Sequence, residues 1–84
     1  MALMEAVPVR LDDIYVPVKR RKTIEDDKVE ALAEDILEHG QKTPIQVRRD
    51  KGRYVLVSGL HRLEAMRALG EDTIQALVIG ERRF

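Results

Sequence analysis

The sequence predicts a small α+β domain with a mixed sheet. Two segments have helical periodicity, residues 26–39 and 60–69, and a hairpin signal around "DKG" lies between them. The segment "TIQALVIG" is rich in β-branched residues and predicts a final strand. The predicted order is therefore strand, helix, hairpin, helix, strand.

The N-terminal segment "AVPVRLDDIYVPV" alternates apolar and polar residues over a few positions. Pro8 and Pro17 interrupt the alternation, and proline cannot donate a ladder hydrogen bond to a neighbouring strand. We expect a short edge strand followed by an extended segment.

The first helix is predicted over residues 26–39. Its apolar positions follow the i, i+3, i+4, i+7, i+8 spacing of one helical face, and they are Val29, Leu32, Ala33, Ile36 and Leu37. Asp27 and Glu30 resemble a capping box, and Gly40 is expected to end the helix in a left-handed conformation. We interpret His39 as structural, because a cation in the last turn suits the helix dipole.

The hairpin joins "PIQVRR" to "RYVLVS", with a glycine at the last position of its short loop. The second helix follows over residues 60–69. It directs Leu63, Met66 and Leu69 inward and ends at Gly70.

Length and composition predict a single domain over residues 1–84. The 15 basic and 15 acidic residues balance, so contact with nucleic acid would depend on a local patch. The absence of cysteine excludes disulfides, thiolate metal sites and cysteine nucleophiles. The first residues form neither a charged leader nor a long apolar run, and no segment is apolar enough to span a membrane. A cytoplasmic location without a membrane partner is expected.

The junction "SGLHR" has the residue types of a phosphate site. A helix N-terminus has unpaired amides and partial positive charge, so it attracts anions. Ser58 could cap the helix or bind a phosphate oxygen, and Gly59 would let an anion approach the backbone. His61 and Arg62 add side-chain donors. The alternative is an ordinary turn with a capped His61 and a solvated Arg62.

The segment "SGLHRLEAMRALG" resembles the signature of the ParB N-terminal domain/sulfiredoxin superfamily. In ParB partition proteins this segment reads glycine, glutamate, arginine, arginine; in sulfiredoxins it reads glycine, cysteine, histidine, arginine. Upstream, "DDKVEALAEDILEHGQKTPIQV" is similar to the family's helix, glycine and proline–isoleucine–x–valine strand. The resemblance covers residues 8–79.

The resemblance implies a nucleotide site that takes ATP or CTP, with Mg²⁺ expected to accompany the nucleotide. The phosphate-binding residues that it implies are Ser58, Gly59, His61, Arg62, Arg21, Arg20 and Lys28. Arg20 and Arg21 come from "VKRRKTI", where ParB-like domains carry an arginine near the nucleotide. Lys28 matches a lysine on the first helix of sulfiredoxins.

The chain departs from both branches of the superfamily. Leu60 replaces the sulfiredoxin catalytic cysteine, and a leucine cannot act as the nucleophile, so sulfiredoxin activity is not expected. Leu60 and His61 replace the glutamate and arginine of ParB, so CTP specificity does not carry over. Partition proteins continue into helix-turn-helix and dimerisation domains, and we predict a stand-alone domain here.

Three alternatives remain open beside nucleotide binding. A DNA-associated module would use "VKRRK" with Arg48, Arg49 and Arg53 as a local basic patch. A small-molecule phosphotransferase, resembling free-serine kinases, would need a carboxylate, for which the candidates are Asp26, Asp27, Glu30 and Glu64. The alternative is that each of these carboxylates is an ordinary solvated side chain, and that Glu64 pairs with Arg67. A surface for a protein partner is the third.

Overall fold

The computed structural model describes residues 5–80, within which it contains five β-strands and three α-helices. The strands are β1 (Val7–Arg10), β2 (Ile14–Tyr15), β3 (Ile45–Asp50), β4 (Arg53–Ser58) and β5 (Thr73–Val78). The helices are α1 (Val18–Arg21), α2 (Asp26–His39) and α3 (Leu60–Ala68). The predicted α+β class is confirmed. Within the described residues, no helix is long and apolar enough to cross a membrane.

The strands form one mixed sheet in the order β1-β5-β3-β4-β2. The β1–β5 and β3–β4 pairs are antiparallel, whereas the β5–β3 and β4–β2 pairs are parallel. The two edge strands, β1 and β2, are joined by a single 3-10 turn, Leu11–Asp13. In a flat sheet, the four intervals that separate β1 from β2 would span about 19 Å. The chain that joins the two strands, from Arg10 to Ile14, has only four Cα steps and reaches at most about 14 Å. The sheet is therefore curled.

The N-terminal segment differs from the prediction of one edge strand and an extended stretch. Its extended part contains the 3-10 turn and the second edge strand, and α1 begins directly after Pro17. The amides of Arg20 and Arg21 donate to the Pro17 carbonyl, at 3.0 and 3.3 Å, and start this short helix. Proline fits there because it precedes the first turn and its missing N–H leaves no bond unmade.

The β3–β4 hairpin confirms the signal at "DKG". Its loop is Lys51–Gly52, and both residues have positive φ angles, 51° and 81°. Two positive φ angles are the geometry of a type I′ turn, which matches the strand twist. The register shifts between Gln46 and Val47, so Val57 lies at a bulge close to the end of β4.

Helix α2 has the predicted bounds but not the predicted cap. Its N-cap is Glu25, and no side chain caps the helix, so the capping box at Asp27 and Glu30 is wrong. Gly40 ends the helix with the positive φ that was predicted, 78°, although its ψ of 176° is extended. The predicted apolar face is only half-buried, and Leu37 is 77% exposed, because α2 packs chiefly against α3.

The core lies between α3 and one face of the sheet. Leu60, Leu63 and Met66 of α3 are buried with side chains of the three central strands. Ile45 and Val47 of β3 are fully buried there. The inward positions predicted at Leu63 and Met66 are confirmed, and Leu69 is half-buried at the end of the helix. This packing fixes the start of α3 against the sheet.

Candidate phosphate-binding cleft

The turn between β4 and α3 depends on Gly59. This residue is the N-cap of α3 and has left-handed angles, φ 103° and ψ 29°. A Cβ added to it would lie 2.5 Å from Ile45 Cγ2 and 2.9 Å from Ile45 Cβ. Both the backbone angle and the fully buried neighbour therefore require glycine. Because Gly59 is the N-cap, the alternative that Ser58 caps the helix is wrong, and the Ser58 hydroxyl instead donates to Gln46 Oε1 at 3.2 Å.

The first turn of α3 presents backbone amides to the space beside it. The first intrahelical bond runs from Leu63 N to Gly59 O, at 2.9 Å. The amides of Leu60, His61 and Arg62 consequently have no carbonyl partner within the helix. A helix N-terminus of this kind attracts anions through those amides and the helix dipole.

A cleft of about 500 Å³ adjoins this N-terminus, between α2 and α3. Its lining residues are Lys28, Ala31, Leu32, Asp35, Gly59, Leu60, His61 and Arg62. The volume lies in the range of small-ligand and cofactor pockets. The cleft is cationic where Lys28 and Arg62 meet the start of α3, and its remaining walls are largely apolar.

His61 joins the N-termini of the two helices that form the cleft. Its Nε2 accepts a hydrogen bond from the backbone N–H of Glu25, the N-cap of α2, at 3.0 Å. A ring nitrogen that accepts carries no proton, so the neutral ring has its proton on Nδ1. In this arrangement the Nδ1–H of His61 remains as a donor, in agreement with the predicted role of His61 as a side-chain donor.

Arg62 and Lys28 differ in their availability to a ligand. No hydrogen bond or salt bridge within residues 5–80 uses the half-buried Arg62 guanidinium, which leaves all its donors for an anion. The Lys28 ammonium lies 3.2 Å from the Glu25 carboxylate, in an exposed i, i+3 pair. Exposed pairs of this kind are weak, about 0–1 kcal/mol, so a polyanion could displace Glu25.

Comparison with known proteins places this architecture in a family. Residues 3–83 match the ParB N-terminal domain. The chain belongs to the ParB N-terminal domain family. It is 40% identical over 74 residues to the probable chromosome-partitioning protein ParB of Helicobacter pylori, a match that covers 87% of this chain and 26% of the relative. The chain thus spans about a quarter of that protein.

Two solved structures are similar to this ParB-like domain. Sulfiredoxin from Arabidopsis thaliana aligns with a TM-score of 0.82 and 33% identity, over 90% of this chain and 85% of that one. A C-terminally truncated ParB from Caulobacter crescentus, in complex with CTP-γ-S, aligns with a TM-score of 0.76 and 26% identity, over 92% of this chain and 45% of that one. The predicted membership of the ParB/sulfiredoxin superfamily is confirmed.

The structure brings together four of the seven residues predicted to bind phosphates. Gly59, His61, Arg62 and Lys28 line the cleft, and the other three do not. Arg20 is exposed on α1, and Ser58 is exposed at the end of β4. Arg21 is held by a hydrogen bond from its Nε to the Val16 carbonyl, at 3.1 Å.

Arg21 lies instead between two other cavities. One, of about 380 Å³, is lined by Ile14, Val16, Arg21, Ile24, Glu64 and Arg67. The other, of about 290 Å³, is lined by Asp12, Asp13, Ile14, Tyr15, Arg21 and Arg53. Neither shares a lining residue with the cleft; Arg21 lies between Glu64 and Arg67 of α3 in one cavity and Arg53 of β4 in the other.

The cleft also contains residues that sequence reasoning missed, namely Ala31, Leu32 and Asp35. Together with Lys28 they lie at i, i+3, i+4 and i+7, the spacing of one helical face. That spacing was the available signal, but the helical face predicted from the apolar residues shares only Leu32 with it.

None of the four candidate catalytic carboxylates lines the cleft. Glu64 lies 3.7 Å from Arg67 Nε, which confirms the predicted i, i+3 pair. Asp26, Asp27 and Glu30 are exposed on the first turns of α2. Within residues 5–80, no group of three or more acidic or histidine side chains is arranged to hold a metal ion. His39, predicted to be structural, bonds to Asp35 Oδ1 through Nδ1, at 3.0 Å.

Proposed function

We propose that this ParB-like domain binds a nucleoside triphosphate, ATP or CTP, in the cleft between α2 and α3. The observation that carries the proposal is the Arg62 guanidinium, which has no partner among residues 5–80, together with the amides at the start of α3 that have none within the helix. Both belong to residues that line the cleft, and a polyanion is the ligand that would satisfy both. The Caulobacter ParB structure, a relative at 26% identity, contains a nucleotide analogue and supports this choice.

Each cleft residue would make a different contact with the phosphates. The amides after Gly59 and the Nδ1–H of His61 would donate to phosphate oxygens, and Arg62 would bind two oxygens at once. Lys28 would exchange its carboxylate partner for phosphate. Arg21, Arg20 and Ser58 lie outside the cleft lining, so their predicted phosphate contacts would require a different conformation of the α1 segment or the β4–α3 turn.

Mg²⁺ fits this site as a companion of the nucleotide rather than as a metal held by the protein. Magnesium is commonly bound by one or two carboxylates together with substrate phosphates and water. The described residues offer no cluster of three suitable ligands. The nucleotide phosphates and water would supply most of the metal's ligands, and the metal would reduce the charge of the phosphates.

Calorimetric titration of ATP and CTP with Mg²⁺ tests the proposal. Arg62→Ala should weaken binding at least tenfold, because a charge-assisted hydrogen bond contributes about 1.5–3 kcal/mol. Arg67→Ala is the matched control, since Arg67 lies on the same helix outside the cleft and should leave affinity unchanged. The proposal fails if neither nucleotide binds the unmodified protein. Nucleoside diphosphate release in the same samples would show whether bound nucleotide is turned over.

A second candidate function, DNA binding, is supported by the arginines around the hairpin. Arg53 lines one cavity with Arg21 and another, of about 240 Å³, with Arg49. Arg53 stacks on Tyr15 at 4.2 Å and Arg49 on Tyr54 at 5.7 Å, measured from each guanidinium carbon to the ring centroid. Stacking orders the guanidinium groups and leaves their edges to bind phosphates. Asp12 and Asp13 line the cavity shared with Arg21 and oppose this charge.

Fluorescence anisotropy with duplex DNA at increasing salt tests this second candidate. Each phosphate contact contributes about −0.9 to the slope of log affinity against log salt. Arg53→Ala should therefore flatten the slope by about one, whereas Arg62→Ala should not change it. Absence of binding at low salt would exclude this function for the hairpin.

A further inference from the structure

Asp35 lines the cleft two helical turns beyond Lys28, away from the N-terminus of α2. The α2 residues that line the cleft run from Lys28, in the first turn, to Asp35. Seven residues of α-helix rise roughly 10 Å. This separation is comparable with that between the phosphates of a nucleotide and the polar edge of its base. Between Lys28 and Asp35 the lining residues of α2 are Ala31 and Leu32, whose apolar side chains suit the flat body of a base.

The Asp35 carboxylate is fixed in place and ionised. Its Oδ1 accepts from His39 Nδ1 at 3.0 Å and from Lys42 Nζ at 3.2 Å. No hydrogen bond within residues 5–80 uses Oδ2. The hydrogen bond from His39, followed by that from Lys42, lowers the pKa of Asp35 below its ordinary value. At neutral pH the carboxylate is therefore an acceptor and cannot donate.

An acceptor at this position distinguishes between bases. Adenine and cytosine present an exocyclic amino group, which donates hydrogen bonds, and guanine carries one as well. Uracil has carbonyl oxygens on both sides of its N3–H and no amino group. A carboxylate facing a carbonyl oxygen is repelled and loses water without gaining a hydrogen bond.

We propose that Asp35 determines base specificity by accepting a hydrogen bond from an exocyclic amino group of the nucleotide. The inference rests on the proposed nucleotide function of the same cleft. It assigns to the ligand a chemical class, nucleotides with an amino-bearing base. Uridine nucleotides and purine nucleotides without an amino group are disfavoured.

The experiment compares two matched pairs of nucleotides by calorimetry with Mg²⁺: CTP with UTP, and ATP with purine riboside triphosphate. Within each pair the triphosphate and ribose are the same and the amino group differs. The protein variants are Asp35→Asn and, as a control, Glu34→Gln. Glu34 is the adjacent exposed residue on α2 and does not line the cleft. Circular dichroism melts establish that both variants are folded.

The unmodified protein should bind the amino-bearing member of at least one pair roughly tenfold more tightly or better. Asp35→Asn should reduce that ratio towards one, because the amide can also donate to a carbonyl oxygen. Glu34→Gln should preserve the ratio. Equal affinities within both pairs would overturn the inference and leave the proposed function intact.

The inference would also be contradicted if Asp35→Asn lowered the affinity for both nucleotides of a pair equally. Asp35 would then contact the ribose, which every member shares, and the assignment to the base would be wrong. Absence of binding by all four nucleotides would instead contradict the proposed function itself, and this inference with it. The two failures are thus distinguishable.

Discussion

The side chain of His61 accepts the backbone N–H of Glu25, 36 positions earlier in the chain, at a distance of 3.0 Å. One imidazole thereby occupies two roles: it belongs to the first turn of α3 and it satisfies the N-cap amide of α2. The contact sets the relative position of the two helix N-termini that bound the cleft. A ligand at His61 Nδ1 would consequently contact a ring whose orientation is already fixed.

The His61 contact predicts local stabilisation of the start of α2. His61→Ala should lower the free energy of unfolding by about 0.5–1.5 kcal/mol, the usual contribution of one hydrogen bond. Amide exchange at Glu25 should accelerate about twofold to tenfold, as measured by NMR hydrogen exchange. His61→Gln keeps a polar atom at a similar reach and should restore part of the protection. Unchanged Glu25 exchange in His61→Ala would contradict this role.

Gly59→Ala should be strongly destabilising. The alanine Cβ would have to displace fully buried Ile45 while the backbone keeps a φ of 103°. Backbone strain of about 1–3 kcal/mol and overpacking of a similar size give an expected loss of about 2–6 kcal/mol in urea unfolding. Gly52→Ala is the control, since Gly52 has a φ of 81° and no atom within 4 Å of an added Cβ. Equal losses in the two variants would show that contact with Ile45 costs nothing.

The side-chain amide of Gln41 extends the β3–β5 ladder. Its Oε1 accepts from Gln75 N at 2.9 Å, and its Nε2 donates to Gln75 O at 2.9 Å and to Thr43 O at 3.0 Å. Gln41→Ala should reduce the free energy of unfolding by about 1–2 kcal/mol. Gln41→Glu should reduce the free energy of unfolding by nearly as much, because a carboxylate can accept the hydrogen bond from Gln75 N but cannot donate to the two carbonyls. Gln75→Ala preserves the backbone partners and should be nearly neutral in the same unfolding measurement.

The ion pairs of Asp35 predict an acid-dependent contribution to stability. His39 and Lys42 lower the folded-state pKa of Asp35 from its ordinary value of 3.8. A lowered folded pKa stabilises the fold above the unfolded pKa, and the contribution disappears as pH falls through the folded pKa. The difference in urea midpoint between the unmodified protein and Asp35→Asn should thus be largest near neutral pH and shrink below about pH 4.

Glu38→Gln is the control for this measurement. It also removes one negative charge from the last turns of α2 but leaves the Asp35 ion pairs intact. A difference between Asp35→Asn and the unmodified protein that is constant from neutral to acidic pH would exclude the ion pairs as its cause.

Local sequence patterns predicted the elements well where one signal dominates. Helix α2 has its predicted bounds because the apolar spacing is regular and Gly40 follows it. The hairpin prediction is correct because a two-residue loop with glycine favours the tight turns that join antiparallel strands. The second edge strand β2 was missed, since two residues give no period and they pair only with β4 across the fold.

The candidate site was predicted in part for a similar reason. Gly59, His61 and Arg62 are consecutive or nearly so, and a helix start is a local feature. The positions of Arg21 and Asp35 depend on packing between distant elements. Arg21 is fixed by the Val16 carbonyl, and Asp35 enters the cleft only because α2 lies against α3. The helical spacing places Asp35 on the same face as Lys28, but no pattern in the sequence alone shows that this face meets α3 or that Arg21 meets Val16.

The most direct test is a ¹H–¹⁵N NMR titration of the protein with CTP and with ATP in the presence of Mg²⁺. The amides of Leu60, His61 and Arg62 should shift saturably, because they would donate to the phosphates, and Glu25 should shift with them through His61. Arg62→Ala should require much higher nucleotide concentrations for the same shifts. Shifts confined to the β3–β4 hairpin, or no saturable shifts with either nucleotide, would contradict nucleotide binding at the start of α3.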